Sequence, residues 1–427
     1  MIITNGKVWL ENDFKDANIV IEDGKIKEIT KKKKKGKKFN AKGFLILPGM
    51  IDVHVHLREP GLEYKETFKT GTLAASRGGV TSVIDMPNNI PFIANKKRLQ
   101  EKIKRAKEIY ANVGFSAGIL DPFEITDMKD LVLCYKIYMC DRFAIKPYDL
   151  KKSFEQVSLT GKPLMIHAED PRIIEDFKAR IIEDHSPLSH SKARNVLAEV
   201  SAISQCLYLA RTYRTKLHIT HVTSRFGLEL IKWAKGFTDV TLDVTPHHLF
   251  LDEDDFRSKG NLLKVNPPIR KKEDQEYLFS NLNMVDMISS DHAPHTWDEK
   301  MLDVWEAEPG IPGLETTLHL LLNEVFMGNL EMKELVRLYS LNPAKRFGLY
   351  PQRGIIRVGS YADLVLIDPK KEHKIKSSKF ESMAKYTPFE GKKVKGEVVC
   401  TFVNGEIAYH NGEFYPSGSV LLPKEVE

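Results

Sequence analysis

From about residue 48 to residue 352 the chain alternates short apolar runs with amphipathic stretches, and no other feature limits its fold so tightly. The runs span 50–56, 80–86, 113–119, 142–146, 163–167, 216–221, 240–244 and 285–290. Runs this short, separated by helix-period segments such as 96–110 and 193–213, predict repeated strand–helix units. Eight such units fit a (β/α)8 TIM barrel with insertions. A doubly wound sheet would gather its ligand residues at one switch point. Here ligand-type residues end many of the runs, which favours the barrel.

The flanks read differently. Residues 1–47 and 353–427 predict a small β-sandwich domain formed from both termini, with the barrel occupying 48–352. Asp23-Gly24 and Asn404-Gly405 are strong hairpin signals between strand-like segments. A length of 427 residues suits one large domain and one smaller one. The net charge of +6 is mild for that length and gives no reason to expect nucleic acid. Much of the excess lies in Lys31 to Lys35, Lys37 and Lys38, a run without interleaved aromatics that reads as a solvated loop. Cys134, Cys140, Cys206 and Cys400 are irregularly spaced, so neither a disulfide framework nor a zinc ribbon is expected, and a reduced cytoplasmic setting follows. The N-terminus lacks a signal-peptide pattern, and no apolar run is long enough to span a bilayer.

The ends of the runs carry the chemistry. The first ends in His54-Val55-His56-Leu57-Arg58. Alternation along a strand places His54 and His56 on one face, with Val53 and Val55 on the other, and two imidazoles so placed can bind one metal ion. Arg58 can hold an anion beside it. Other runs end in Lys146, His167, His221 and Asp291, and in a barrel all these ends converge on one mouth. Lys146 makes no sense there as an ammonium. Burial and nearby positive charge favour the neutral amine, which can add carbon dioxide to give an anionic carbamate able to bridge two metals. Asp141 or Asp149 would be the alternative bridge. His218 faces away from His221 and reads as packing or as a support behind the ligands. His247 and His248 end the seventh run, but the six positions already named fill a two-metal site. His185, His190, His319, His373 and His410 read as satisfied or solvated imidazoles.

Four segments resemble the dihydroorotases, in the cyclic-amidase branch of the amidohydrolase superfamily. They are His54 to Gly61, Asp85-Met86-Pro87-Asn88-Asn89, Val265-Asn266-Pro267-Pro268, and Ser290-Asp291-His292-Ala293-Pro294-His295. The resemblance implies that His54, His56 and Asp291 bind one metal and His167 and His221 a second. Lys146, as a carbamate, would bridge them. Lys146-Pro147-Tyr148 keeps the family's lysine followed two places later by an aromatic, although Pro147 is unusual and some relatives use an aspartate bridge. Two Zn(2+) ions per chain are implied. Arg58, Asn88 and His295 would hold a substrate carboxylate, with His56 also in contact. Asn266 would meet the ring amides. The segment 296–313 would cover the site, with Pro309 and Gly310 offering backbone groups.

The implied reaction is reversible cyclisation of N-carbamoyl-L-aspartate to L-dihydroorotate, in pyrimidine biosynthesis, through a hydroxide bridging two metals. Asp291 would act as general base and then acid. Allantoinases and dihydropyrimidinases or hydantoinases would share the metals and the barrel, but their neutral rings give no reason for Arg58. A barrel without catalysis, serving as an assembly partner, would be expected to lack several of these ligands. The resemblance leaves self-association and association with aspartate transcarbamoylase open.

Overall fold

Eight parallel strands close into a barrel in the computed structural model, which describes residues 1–423. In chain order they are Met50–Val55, Val80–Asp85, Asn112–Gly118, Cys134–Tyr138, Leu164–His167, Leu217–Ile219, Val240–Val244 and Met287–Ile288. Each pairs with its sequence neighbour, and a bridge between Val55 and His292 joins the last to the first. Strands buried on both faces read as continuous apolar runs, which is why seven of them fall on the runs named above.

The fourth strand does not. It is Cys134–Tyr138, and the 142–146 run lies beyond it in a loop. That loop makes only a single bridge, Ala144 to Tyr138, before Lys146 caps the helix Pro147–Ser158. A proline at the first helical position has its φ preset for the helix and gives up an N–H that would be unpaired anyway. The segment therefore ends the loop and starts a helix where an apolar approach suggested a strand.

Side-chain caps define the crossover helices. Asn95, Asn195 and Ser224 accept first-turn backbone N–H groups of Lys96–Arg105, Val196–Tyr213 and Arg225–Ala234. Between strands and helices lies the main apolar core, with Val83, Val113, Ile137, Ile166 and Ile219 against Leu99, Ile203 and Leu228. A second cluster holds Ile84, Cys134, Met165 and Met287. By strand alternation Cys134 and Met165 share a face with Lys136 and His167, so this cluster forms the floor beneath them. The first strand is bulged between Asp52 and Val55, and Val53 and Val55 pack in separate clusters instead of sharing one face.

Both termini meet in a second sheet. Leu45–Pro48 pairs with Ile2–Leu10 on one side and with Leu364–Lys374 on the other, and so fastens the N-terminal hairpins to the C-terminal ones. The two hairpin signals form as read. Asp23 and Gly24 have φ of 49° and 75°, and Asn404 and Gly405 have 51° and 80°, the left-handed pair that a two-residue turn requires. The last strand, Val420–Leu421, returns to pair with Asn112–Gly118 of the barrel. No helix among the described residues is long and apolar enough to cross a membrane.

Candidate active site

At the C-terminal ends of the strands the side chains converge. His54 Nε2 and His56 Nε2 lie 3.4 Å and 3.1 Å from Asp291 Oδ1. His167 Nδ1 is 3.1 Å from His221 Nε2, and the His54 and His221 ring centroids are 5.3 Å apart. All five residues are buried. The structure thus brings together His54, His56, His167, His221 and Asp291 from the ends of four different strands.

Backbone strain helps to aim them. His221, Asp291 and Arg58 adopt positive φ of 39°, 43° and 65°, which costs a non-glycine residue energy and persists only where the surroundings fix it. Asp243 fixes His221 by accepting its backbone N–H at 2.8 Å, and it also binds Ser289 Oγ at 2.7 Å and His218 Nε2 at 2.8 Å. Asp52 accepts the Ser290 backbone N–H at 3.1 Å, one residue before Asp291. His218 therefore belongs to the support layer, as its strand face suggested.

Outer partners set the imidazole tautomers. Asn88 Oδ1 is 2.6 Å from His56 Nδ1, so that nitrogen donates and the Nε2 lone pair faces Asp291. Glu169 Oε2 is 2.6 Å from His167 Nε2, which leaves the Nδ1 lone pair facing His221. Burial raises the Glu169 carboxyl, but Arg194 and His167 more than offset this and hold it at about 2. Burial, reinforced by neighbouring positive charge, keeps His54, His56 and His221 well below the usual imidazole range. Burial lifts Asp291 above the usual carboxylate range.

The donor set fits divalent metal. Neutral imidazole lone pairs and a carboxylate converge, and His54, His56 and Asp291 offer ligand atoms all within 4.8 Å of one another. The Nδ1 atoms of His54 and His221 are buried without a hydrogen-bond partner, so each ring keeps one nitrogen that no protein group satisfies. Cys140, His167 and Glu169 form a second such group. That group already holds a cation: Arg194 Nη2 lies 3.0 Å from Cys140 Sγ and 2.6 Å from Glu169 Oε2.

Lys146 is not among these residues. It is exposed at the start of its helix, with Nζ 5.8 Å from the Tyr148 ring centroid. Asp149 lies in the same helix, and Asp141 is taken by Arg194 at 2.7 Å, so neither of the alternative carboxylates reaches the cluster as a bridge. The lysine inside the barrel is Lys136, on the fourth strand and wholly buried. Its Nζ donates to Thr220 Oγ1 at 3.0 Å, and Thr220 Oγ1 is 3.1 Å from His221 Nε2. Burial pulls Lys136 below the usual lysine range, opposed by Asp291 and Asp243. Sequence reasoning passed over it, although Lys136-Ile137-Tyr138 carries the same lysine-and-aromatic spacing as Lys146 to Tyr148.

A cavity of about 770 Å³ opens above the cluster, and Arg58, Asn88, Asn266, His295 and Pro309 line it. Arg58 Nε donates to Pro294 O at 3.0 Å, and its Nη2 is 3.0 Å from His295 Nε2. Burial and the charges of Arg58 and Lys65 hold His295 well below the usual range, so it is neutral. Asn266 Nδ2 donates to Asp141 at 3.0 Å and its Oδ1 accepts from His190 Nε2 at 2.8 Å. His190 is thus a wall residue that its sequence context did not reveal. Gly310 does not offer its N–H to the cavity, because that group donates to Lys264 O at 2.9 Å. What matters is its missing side chain: a Cβ there would lie 2.3 Å from Ala293 O and 2.9 Å from His295 Cδ2.

Comparison with known proteins identifies the family. The Amidohydrolase family pattern matches residues 45–408. A protein named dihydroorotase from Methanosphaera stadtmanae is 40% identical over 423 residues, covering 96% of this chain and 97% of its own length. Another of that name, from Pyrococcus abyssi, is 38% identical and covers 96% of each chain. Among solved structures, the L-hydantoinase (dihydropyrimidinase) of Arthrobacter aurescens superposes with a TM-score of 0.95 at 29% identity over 99% of both chains.

Proposed function

The chain belongs to the amidohydrolase family, a hydrolase acting on cyclic amides, and from that premise we propose that it is a dihydroorotase. It interconverts N-carbamoyl-L-aspartate and L-dihydroorotate, with water lost on closure, as a step of pyrimidine biosynthesis. One observation carries the choice of substrate. Arg58 Nη2 and His295 Nε2 face each other at 3.0 Å beside the histidine cluster, with Asn88 and the cavity in front of them. An arginine cannot accept a hydrogen bond, so this corner is rich in donors. A carboxylate supplies the missing acceptor and matches the guanidinium fork. Hydantoin and allantoin bring no carboxylate. The relatives named dihydroorotase, at 40% and 38% identity, favour the same reading.

His54, His56 and Asp291 would hold one divalent ion and His167 and His221 a second, with zinc the best match to the nitrogen and oxygen donors. Such ions polarise a carbonyl and lower the pKa of water toward about 7. Lys136 takes the role expected of Lys146. Its amine, depressed by burial, would add carbon dioxide with loss of a proton, and the carbamate would supply anionic oxygens to the metal ions. Arg58, His295 and Asn88 anchor the substrate carboxylate and turn the amide toward the cluster. In the hydrolytic direction water adds to the ring carbonyl carbon and the ring C–N bond breaks. Asp291 takes the water's proton on a carboxylate oxygen and delivers it to the departing nitrogen. Closure runs the same transfers in reverse.

The hydantoinase reading rests on the L-hydantoinase superposition and is tested in the same assay. Loss of dihydroorotate absorbance is followed in metal-replete protein, with hydantoin and allantoin as controls. Turnover of dihydroorotate alone is expected. Preferred turnover of hydantoin, with Arg58→Ala leaving it unchanged, would overturn the assignment.

A further inference from the structure

Lys65 lies seven residues beyond Arg58, and its side chain is only 4% exposed. Its Nζ is 3.0 Å from His295 Nδ1, 2.9 Å from Glu299 Oε1 and 3.5 Å from Glu308 Oε1. Tyr64, whose hydroxyl also binds Glu299 at 3.1 Å, lays its ring beside the same ammonium. The ammonium is therefore fixed in place, with one hydrogen aimed at the imidazole.

A neutral histidine has one N–H, and a lysine ammonium can only donate. With Lys65 donating to Nδ1, the proton of His295 must sit on Nε2. That nitrogen is 3.1 Å from Pro309 O, which accepts it, and 3.0 Å from Arg58 Nη2, which cannot. The other tautomer would accept from Arg58 but would turn an N–H against the Lys65 ammonium. The main chain of His295 is pinned as well, its N–H donating to Tyr386 Oη at 3.2 Å. The ring is held so that the choice of tautomer is the variable left to its neighbours.

We propose that Lys65 is a positioning residue that locks His295 into the Nε2–H tautomer, so that Arg58 Nη2 finds no acceptor on His295 and keeps its hydrogens for the carboxylate of the substrate. This rests on the substrate reading above. Without Lys65, His295 turns acceptor toward Arg58, and the pair satisfies itself instead of the ligand. Lys65 lines the cavity, and its polar contacts go to His295, Glu299 and Glu308 and not to the candidate metal ligands, so its loss acts on binding and not on chemistry.

The test uses the full chain, metal-loaded, with isotope-labelled histidine. Long-range nitrogen–proton correlation spectra separate the neutral tautomers, and the His295 signal is identified by its loss in His295→Gln. The wild type is expected to show the Nε2–H form. Lys65→Met should shift His295 to the Nδ1–H form and raise KM for dihydroorotate about 10- to 100-fold, with kcat changed less than about threefold. Lys65→Gln keeps an N–H donor and should retain the tautomer and most of the affinity. A wild type in the Nδ1–H form, or a Lys65→Met protein with tautomer and KM unmoved, overturns the proposal. If Lys65→Met does not fold, the wild-type spectrum and Lys65→Gln decide it. Arg58→Ala is measured alongside: if it leaves KM unchanged, the substrate reading falls while the tautomer result stands by itself.

Discussion

Lys102 and Lys136 are both wholly buried, yet their surroundings are opposites. Lys102 reaches from its helix to an ion pair with Asp85 at 2.7 Å and donates to Met86 O at 2.7 Å and Asn89 Oδ1 at 2.8 Å, so a counter-charge and two acceptors surround it. Asp85 in turn accepts the Leu57 N–H at 2.8 Å. The ammonium thereby ties the loop bearing Arg58 to the loop bearing Asn88. Lys136 has one acceptor among the described residues, the Thr220 hydroxyl, and carboxylates only at longer range. A buried charge with its counter-charge and acceptors in place is a structural part. One left short of partners costs stability that a further reaction or ligand would recover, which is the role proposed for Lys136.

Four substitutions put this contrast to the test. Lys102→Met strands Asp85 as a lone buried charge and should cost about 3–5 kcal/mol of stability, read by denaturant titration. A cost below about 1 kcal/mol would erase the distinction between the two lysines. Lys136→Ala should fold with a far smaller loss, yet lower kcat roughly 10³-fold, about 4 kcal/mol of barrier. Metal analysis of the same variant should show fewer ions per chain than the wild type. Arg58→Ala should raise KM for dihydroorotate about 10²-fold while metal content holds, because truncating one partner of a buried charged pair costs a few kcal/mol. Lys146→Ala is the smallest expected effect. As a surface change it should stay within about 0.5 kcal/mol in stability and about twofold in kcat.

Much of this arrangement was legible because strand ends announce themselves. His54, His56, His167, His221 and Asp291 each close an apolar run, and a barrel sends such ends to one mouth. Lys136 escaped for the reverse reason. It sits inside its run, between Tyr135 and Ile137, where a charged residue reads as an interruption. Alternation could have found it, since Cys134, Lys136 and Tyr138 share a face and Cys134 is a floor residue. Arg194 and Lys65 were illegible for another reason. Their roles come from partners distant along the chain, such as His295 at 3.0 Å from Lys65 across 230 positions. No local period encodes that distance.

Leu45–Pro48 leads, after Gly49 alone, into the strand that ends at the first two histidines, and its outer neighbour is Leu364–Lys374 from the far end of the chain. The C-terminal region is in effect a splint set against the root of the strand that carries His54. Trimming the protein from that end would leave every ligand in the sequence and still unseat the first pair. Proteolytic damage there should register as leaking metal before it registers as lost barrel.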